Sequence, residues 1–185
     1  MVEHRSGPCR ETGRASSTAS DLTGARLDGA QLAQVKADNL TLLRVRGEGV
    51  SFAEAELAGA RLSGASLSGL DAHGANLAEA TAESSHLVRA NLSGADLNEA
   101  ILTGSNLEGS VLTGVEARRS RWTGAYLRGA QLAGANLMEA DLGGTDLRDA
   151  SLRGANLYRT ELRRCDLTAT DLREALITAA DKGGH

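Results

Sequence analysis

Aromatic residues are almost missing: one Trp, two Tyr and one Phe in 185 residues. That is too few to anchor the interlocked core of an ordinary domain of this length, so something periodic has to take its place. Proline occurs once and glycine 22 times, which excludes a collagen-like or proline-rich chain. An apolar fraction of 41% at a net charge of −4 excludes disorder throughout. No apolar run approaches the length of a membrane span, and residues 1–19 hold no hydrophobic stretch that could serve as a signal peptide. We therefore expect a cytoplasmic protein with no membrane partner. Cys9 and Cys165 form neither a disulfide framework nor a metal-ligand spacing, and suit a reducing compartment. Of the 20 basic residues 18 are Arg, but the total charge is acidic, which argues against a nucleic-acid partner.

What the chain does have is a period of five. Taking Leu22 and every fifth residue to Ile177 gives 32 positions, of which 24 are Leu. Phe52, Trp122 and Ile177 are also large, Ala37, Ala72, Ala82 and Ala117 are small, and Gly47 is the lone vacancy. Two residues before each of these lies a second column with 17 Ala, and two residues after lies a third with 16 Gly. The residues immediately flanking the Leu are mostly polar. A period of five fits neither the 3.6 of an α-helix nor the two of a strand, so neither can hold the Leu column on one face for so long. A coil that turns a corner every five residues can. Four units closing a square consume 20 residues and point the Leu and Ala columns inward. Glycine supplies the backbone freedom of the corner, and stacked coils exchange backbone hydrogen bonds at the strand spacing of about 4.8 Å. About eight coils make a rod of roughly 38 Å, each coil stable only because its neighbours cover it.

The units Ala25-Arg-Leu-Asp-Gly29, Ala90-Asn-Leu-Ser-Gly94, Ala95-Asp-Leu-Asn-Glu99, Ala135-Asn-Leu-Met-Glu139 and Ala155-Asn-Leu-Tyr-Arg159 resemble the pentapeptide-repeat family. The resemblance implies an all-β fold, a right-handed quadrilateral β-helix. Its best understood subgroup, the proteins of resistance to quinolones and other topoisomerase poisons, resembles B-DNA in width and charge and binds DNA gyrase. Members of that subgroup often carry Phe at the central position and some carry loop insertions; this chain has Leu there and no insertion.

The ends differ from the middle. Residues 1–19 are polar, lack the period and read as a disordered tail; residues 20–175 form the repeat domain; residues 176–185 are expected as a cap, a short helix and a tail. Asp171 and Glu174 have the spacing of a capping box ahead of Ala175, Leu176, Ala179 and Ala180, which predicts a short terminal α-helix. Such an element would shield the open end of the stack or join two chains as a homodimer through the C-terminal end. Val35–Val50 is the weakest stretch of repeat, and a bulge is expected there.

No phosphate loop, nucleophile elbow, zinc-protease helix or dinucleotide fingerprint occurs, so no catalytic residue, cofactor or metal is assigned. His73 and His86 fall on different faces and read as solvated. Cys165 stands in the Ala column and reads as a small buried residue. Charge says more. Between Asp21 and Glu116 the balance is −7, and between Ala117 and Ala175 it is +2. One face carries Asp38, Glu56, Glu79, Asp96, Glu99 and Glu116 with no base between them. Six carboxylates over about 19 Å have about half the charge density of a B-DNA duplex. Farther along the same face Met138 and Tyr158 take equivalent positions 20 residues apart, and Ile101, Val111 and Tyr126 also point outward. Exposed apolar neighbours of this kind mark contact sites.

The sequence thus describes a non-catalytic rod that works as a rigid protein-binding or scaffold surface. The alternative is a B-DNA mimic that binds a type II topoisomerase such as DNA gyrase, and modulates it or protects it from inhibitors such as fluoroquinolones. The candidate partner-binding residues are the six carboxylates, which the mimic requires, and Met138 and Tyr158, through which a scaffold would bind. The period also makes a sharp contrast testable. Leu107→Lys would bury an ammonium among Leu and Ala and should unfold or aggregate the protein, whereas Glu108→Lys, one residue later, should shift stability by no more than about 0.5 kcal/mol. Equal melting temperatures for the two variants would contradict the square coil.

Overall fold

The computed structural model describes residues 20–177. Over this range every inward, bridging and turning position recurs each five residues without a slip. Twenty-eight successive parallel bridges, from Asp21–Thr41 to Asn156–Leu176, each join residues 20 apart, so one coil takes four units. Each side of each coil is tied to the next by backbone bonds such as Leu22 N–H to Thr41 C=O, Thr41 N–H to Ser20 C=O and Gly24 N–H to Leu43 C=O, 2.8–2.9 Å long. The result is an all-β solenoid of about eight coils; among the described residues there is no helix. Among the described residues no helix is therefore long and apolar enough to cross a membrane.

Within a unit, three residue preferences have separate physical causes. The corner is a turn closed by a bond from the inner column to the preceding central carbonyl, as Ala25 N–H to Leu22 C=O at 2.9 Å. Its third residue is left-handed in all 31 turns from Gly24 to Glu174, with φ from +52° to +72°, 16 of them Gly. Asp or Asn stands before the central residue because its side-chain oxygen accepts the N–H two residues on, as in Asp21–Thr23, Asn106–Glu108 and Asn156–Tyr158. Leu and Ala are inward: Leu107, Leu112, Leu132 and Ala135 are fully buried. Hydroxyls that replace Ala in the inner column, Ser110 apart, return their proton to backbone carbonyls, as Ser85 to Ala82 and Thr160 to Leu137, both at 2.7 Å.

The core is filled by compensation. Where the central residue is small, the inner residue of the same unit is large: Val35 with Ala37, Val45 with Gly47, Leu70 with Ala72, Val115 with Ala117. The two large aromatics each follow a small centre, Phe52 after Gly47 and Trp122 after Ala117, and both are buried. Trp122 Nε1 donates to Ser120 Oγ at 2.7 Å, so the indole N–H is satisfied inside the rod. Gly47 is a filled position. A Cβ there would lie 2.7 Å from Val50 Cγ2 and 3.0 Å from the Leu27 carbonyl carbon.

Two expectations are corrected. No bulge interrupts Val35–Val50, because the bridges Arg46–Ser66 and Ser51–Asp71 keep the register; the local change is only that the turn after Gly47 lacks its closing hydrogen bond. Nor does a helix start at Asp171. Asp171 Oδ1 accepts the Arg173 N–H at 3.1 Å, Glu174 has φ +63°, and Leu176 bridges Asn156, so the Asp-x-x-Glu spacing is one more unit of the repeat. The tail expected over 1–19, Cys9 within it, and the rest of the expected cap at 178–185 lie outside the described residues.

Ala82 breaks the compensation rule, since its unit begins with Ala80 and the next with Ser85. A cavity of about 20 Å³ lies there, lined by Ala80, Ala82, Leu77, Leu87 and neighbouring Leu side chains. Ala82→Leu restores the commonest residue of the column and should stabilise the fold by about 1 kcal/mol. Gly47→Ala should do the opposite. Melting temperatures decide both, and a stabilising Gly47→Ala would refute the volume argument.

Candidate functional site

With the Leu and Ala columns consumed by the core, only three positions per unit can meet a partner: the bridging residue before the Leu and the two turn residues after it. On the face of interest the bridging ladder runs Lys36, Glu56, Asn76, Asp96, Glu116, Asn136, Asn156, Leu176, one residue per coil. Glu56, Asp96 and Glu116 are therefore on one line, and Asp38, Glu79 and Glu99 stand beside it at the turn positions. All are exposed except Asp96, which is half-buried.

The structure also shows what holds these carboxylates. Lys36 pairs with Glu56, and Arg119 with Glu99, each across one coil step. Asp96 accepts the Asn98 N–H at 2.9 Å, and Glu116 accepts the Asn136 amide at 2.7 Å. The acid stripe is thus bounded by a base at each end, and two of its six charges are compensated. Both pairings are exposed and screened, so each contributes little to stability. They matter for the field the face presents.

Met138 and Tyr158 occupy equivalent turn positions on adjacent coils of the same face, both half-buried. The Arg159 guanidinium carbon lies 5.2 Å from the Tyr158 ring centroid, and Arg159 reaches Glu139 at 3.7 Å. Leu176 follows Asn156 on the bridging ladder at 59% exposure, the highest value among the described large apolar side chains. Met138, Tyr158 and Leu176 thus form one apolar strip toward the C-terminal end, with arginine beside it. Sequence reading missed Leu176 because the expected helix removed it from the ladder. It missed the Lys36–Glu56 and Glu99–Arg119 pairs because both bases lie just outside the stretch of six acids. Comparing residues 20 apart would have revealed all of them. Of the other outward apolar residues, Tyr126 is 54% exposed, and Ile101 and Val111 are half-covered.

Among the described residues no group of His, Cys, Asp and Glu is placed to hold a metal ion. Cys165 is half-buried with Sγ 2.9 Å from the Leu142 carbonyl oxygen, and burial pushes its thiol pKa up, away from a reactive thiolate.

A fold of stacked five-residue units with this periodic surface defines a class, and the comparisons agree. The family model for pentapeptide repeats matches eight copies over residues 48–81, 75–114, 105–144 and 145–181, and the chain belongs to that family. Its fold is the four-sided stacked-coil β-helix that such repeats build. Similar solved structures include HetL from the cyanobacterium Nostoc sp. strain PCC 7120, a protein involved in heterocyst differentiation regulation. It is 26% identical, covering 85% of this chain and 87% of that one, with a TM-score of 0.46. Rfr23 from the cyanobacterium Cyanothece 51142 is 33% identical over 52% of this chain and 63% of that one, TM-score 0.47. A trypsin-treated variant of QnrB1, a plasmid-mediated fluoroquinolone resistance protein, is 20% identical over 86% of each chain, TM-score 0.42. No curated protein matches the sequence.

One titrating pair sits on a neighbouring face. His73 Nδ1 lies 2.8 Å from Asp71 Oδ1, and the hydrogen bond and charge of Asp71 raise the imidazole pKa above its ordinary 6.5. A raised folded-state pKa means the pair stabilises the fold below about pH 6.5 and loses that contribution as pH rises through the folded value. We expect Asp71→Asn to lower the His73 pKa in an NMR titration and to remove this component of the pH–stability curve. An unchanged His73 titration would contradict the pairing.

Proposed function

We propose that this protein is a non-catalytic binding module whose contact surface is the strip Met138, Tyr158 and Leu176 with Arg159. The observation that carries the reading is the Tyr158–Arg159 stack set against Met138 on adjacent, hydrogen-bonded coils. Tyr, Arg and Met are the side chains enriched at protein–protein interfaces and among their energetic anchors. A solid solenoid holds them without a hinge, so little order has to be imposed on binding. Interior space suits this reading as well, since the enclosed cavity is small and purely apolar.

A second reading is a B-DNA mimic acting on a type II topoisomerase. It is favoured by the acidic residues that share one face over successive coils, with Glu56, Asp96 and Glu116 on the bridging ladder and Glu79 beside it. The likeness to QnrB1 concerns the fold.

The two readings part on salt and on mutation. In the first, a partner from the source organism should be retained by immobilised wild-type protein at high salt, and lost with Tyr158→Ala. In the second, purified gyrase should bind at low salt, fade as screening rises above a Debye length of about 8 Å, and be lost when Glu56, Glu79 and Glu99 become Lys. Retention of every partner by Tyr158→Ala would refute the apolar strip. Absence of gyrase binding at any salt would refute the mimic.

A further inference from the structure

A different face carries a groove that neither reading uses. It is an open depression of about 460 Å³ lined by Thr123, Gly124, Gly143, Gly144, Arg163 and Arg164. Two of these glycines, Gly124 and Gly144, have φ of +66° and +69° and are what the turn demands. Gly143 is not explained that way. It occupies the first turn position, where the 31 units from Thr23 to Arg173 hold no other glycine, and its φ is not positive. A Cβ at Gly143 would meet Asp141 Oδ1 at 3.0 Å, a side-chain contact relieved if the carboxylate gives by a few tenths of an ångström, and the Arg163 carbonyl oxygen at 3.8 Å. The backbone does not require glycine there. What Gly143 does is remove a side chain from a row that otherwise reads Thr103, Thr123, Arg163, one coil apart. Glycine free of a conformational role marks a close approach by something else.

The charge around the depression says what approaches. Arg163 and Arg164 close its C-terminal side, and Arg121 stands on the same face one coil before Asp141. Arg164 and Arg121 enter no ion pair among the described residues. Two acids of this face stand near the depression, one on each of its last two coils. Asp141 is engaged by its own and the preceding coil, accepting the Gly143 N–H at 2.8 Å and the Thr123 hydroxyl at 2.9 Å; Glu161 follows it in the ladder beside Arg163. Tyr126, two residues beyond Gly124, is the aromatic that the rod leaves most exposed. A floor without side chains admits a backbone, and planar guanidinium groups at one end suit carboxylates.

We propose that this groove seats an acidic peptide segment of a partner protein, its backbone over Gly143 and Gly144 and its carboxylates at Arg163 and Arg164. The test uses fluorescence anisotropy of the full chain with a labelled Ala-Gly-Asp-Glu-Asp peptide. Ala-Gly-Asn-Gln-Asn is the neutral control, and inorganic phosphate is the competitor. Binding of the acidic peptide alone is expected, weakening with salt. Gly143→Thr, which copies the residue one coil earlier and leaves the charge unchanged, should weaken it roughly tenfold or more, as should Arg164→Gln, the scale of a lost charge-assisted contact. Thermal unfolding of both variants checks that the fold is kept, and Tyr158→Ala should bind the peptide like wild type, so this site and the apolar strip fail independently. No binding, or binding indifferent to Gly143→Thr, overturns the groove. Complete displacement by equimolar phosphate reduces it to a simple anion site and overturns the peptide assignment.

Discussion

Every fifth residue must enter the left-handed region, and the rest of the molecule depends on that. The turn redirects the chain, four turns close a coil in 20 residues, and a fixed coil length puts each backbone N–H opposite a carbonyl of the next coil. Glycine meets the demand at 16 of the 31 turns. The other 15 are held by side chains that pay for φ near +55° to +60° in local strain. Burial of the central Leu, about 1.5–3 kcal/mol for each fully covered side chain, is large enough to impose the conformation.

The non-glycine turn residues are not random. Ten of the 15 are Arg or Glu, and several reach across one coil: Glu99 to Arg119, Glu139 to Arg159, Glu174 to Arg153. A long side chain at the corner stands next to its equivalent 20 residues away, so opposite charges there relieve what like charges would add. The same spacing shapes the face that sequence alone reads as uninterrupted acid. Its bases lie at Lys36 and Arg119, at the two ends of the stripe, and they compensate the carboxylates nearest to them.

Much of the fold was legible because period five is a constraint on volume. The columns that include Leu107 and Ala135 could be assigned inward from spacing alone, and so could the 20-residue coil. The departures from expectation share one cause: a local rule gives way wherever the repeat already dictates the answer. Asp171 and Glu174 have a helix-cap spacing, yet Asp at the bridging position and Glu at the left-handed position are what any unit accepts. Gly47 reads as a vacancy by spacing, and only packing shows Val50 and the Leu27 backbone closing round it. The surface was less legible. Pairing depends on side-chain reach, as in Arg159 over Tyr158, and a groove depends on what neighbouring coils leave out.

Because the backbone repeats so strictly, the side chains at three outward positions per unit are, among the described residues, what makes the surface particular. Regularity also separates residues kept for the fold from residues kept for something else. A glycine at the left-handed position is explained by the turn, so Gly124 and Gly144 say nothing about a ligand. Gly143 sits where any residue would serve the backbone. Likewise a hydroxyl in the inner column is explained when it finds a carbonyl, as Ser85 does, whereas the Ser110 hydroxyl has no partner in the core. In an irregular protein each such residue would need its own history. In this rod, 31 repetitions of one corner supply the expectation, and departure from it is physical information about the surface.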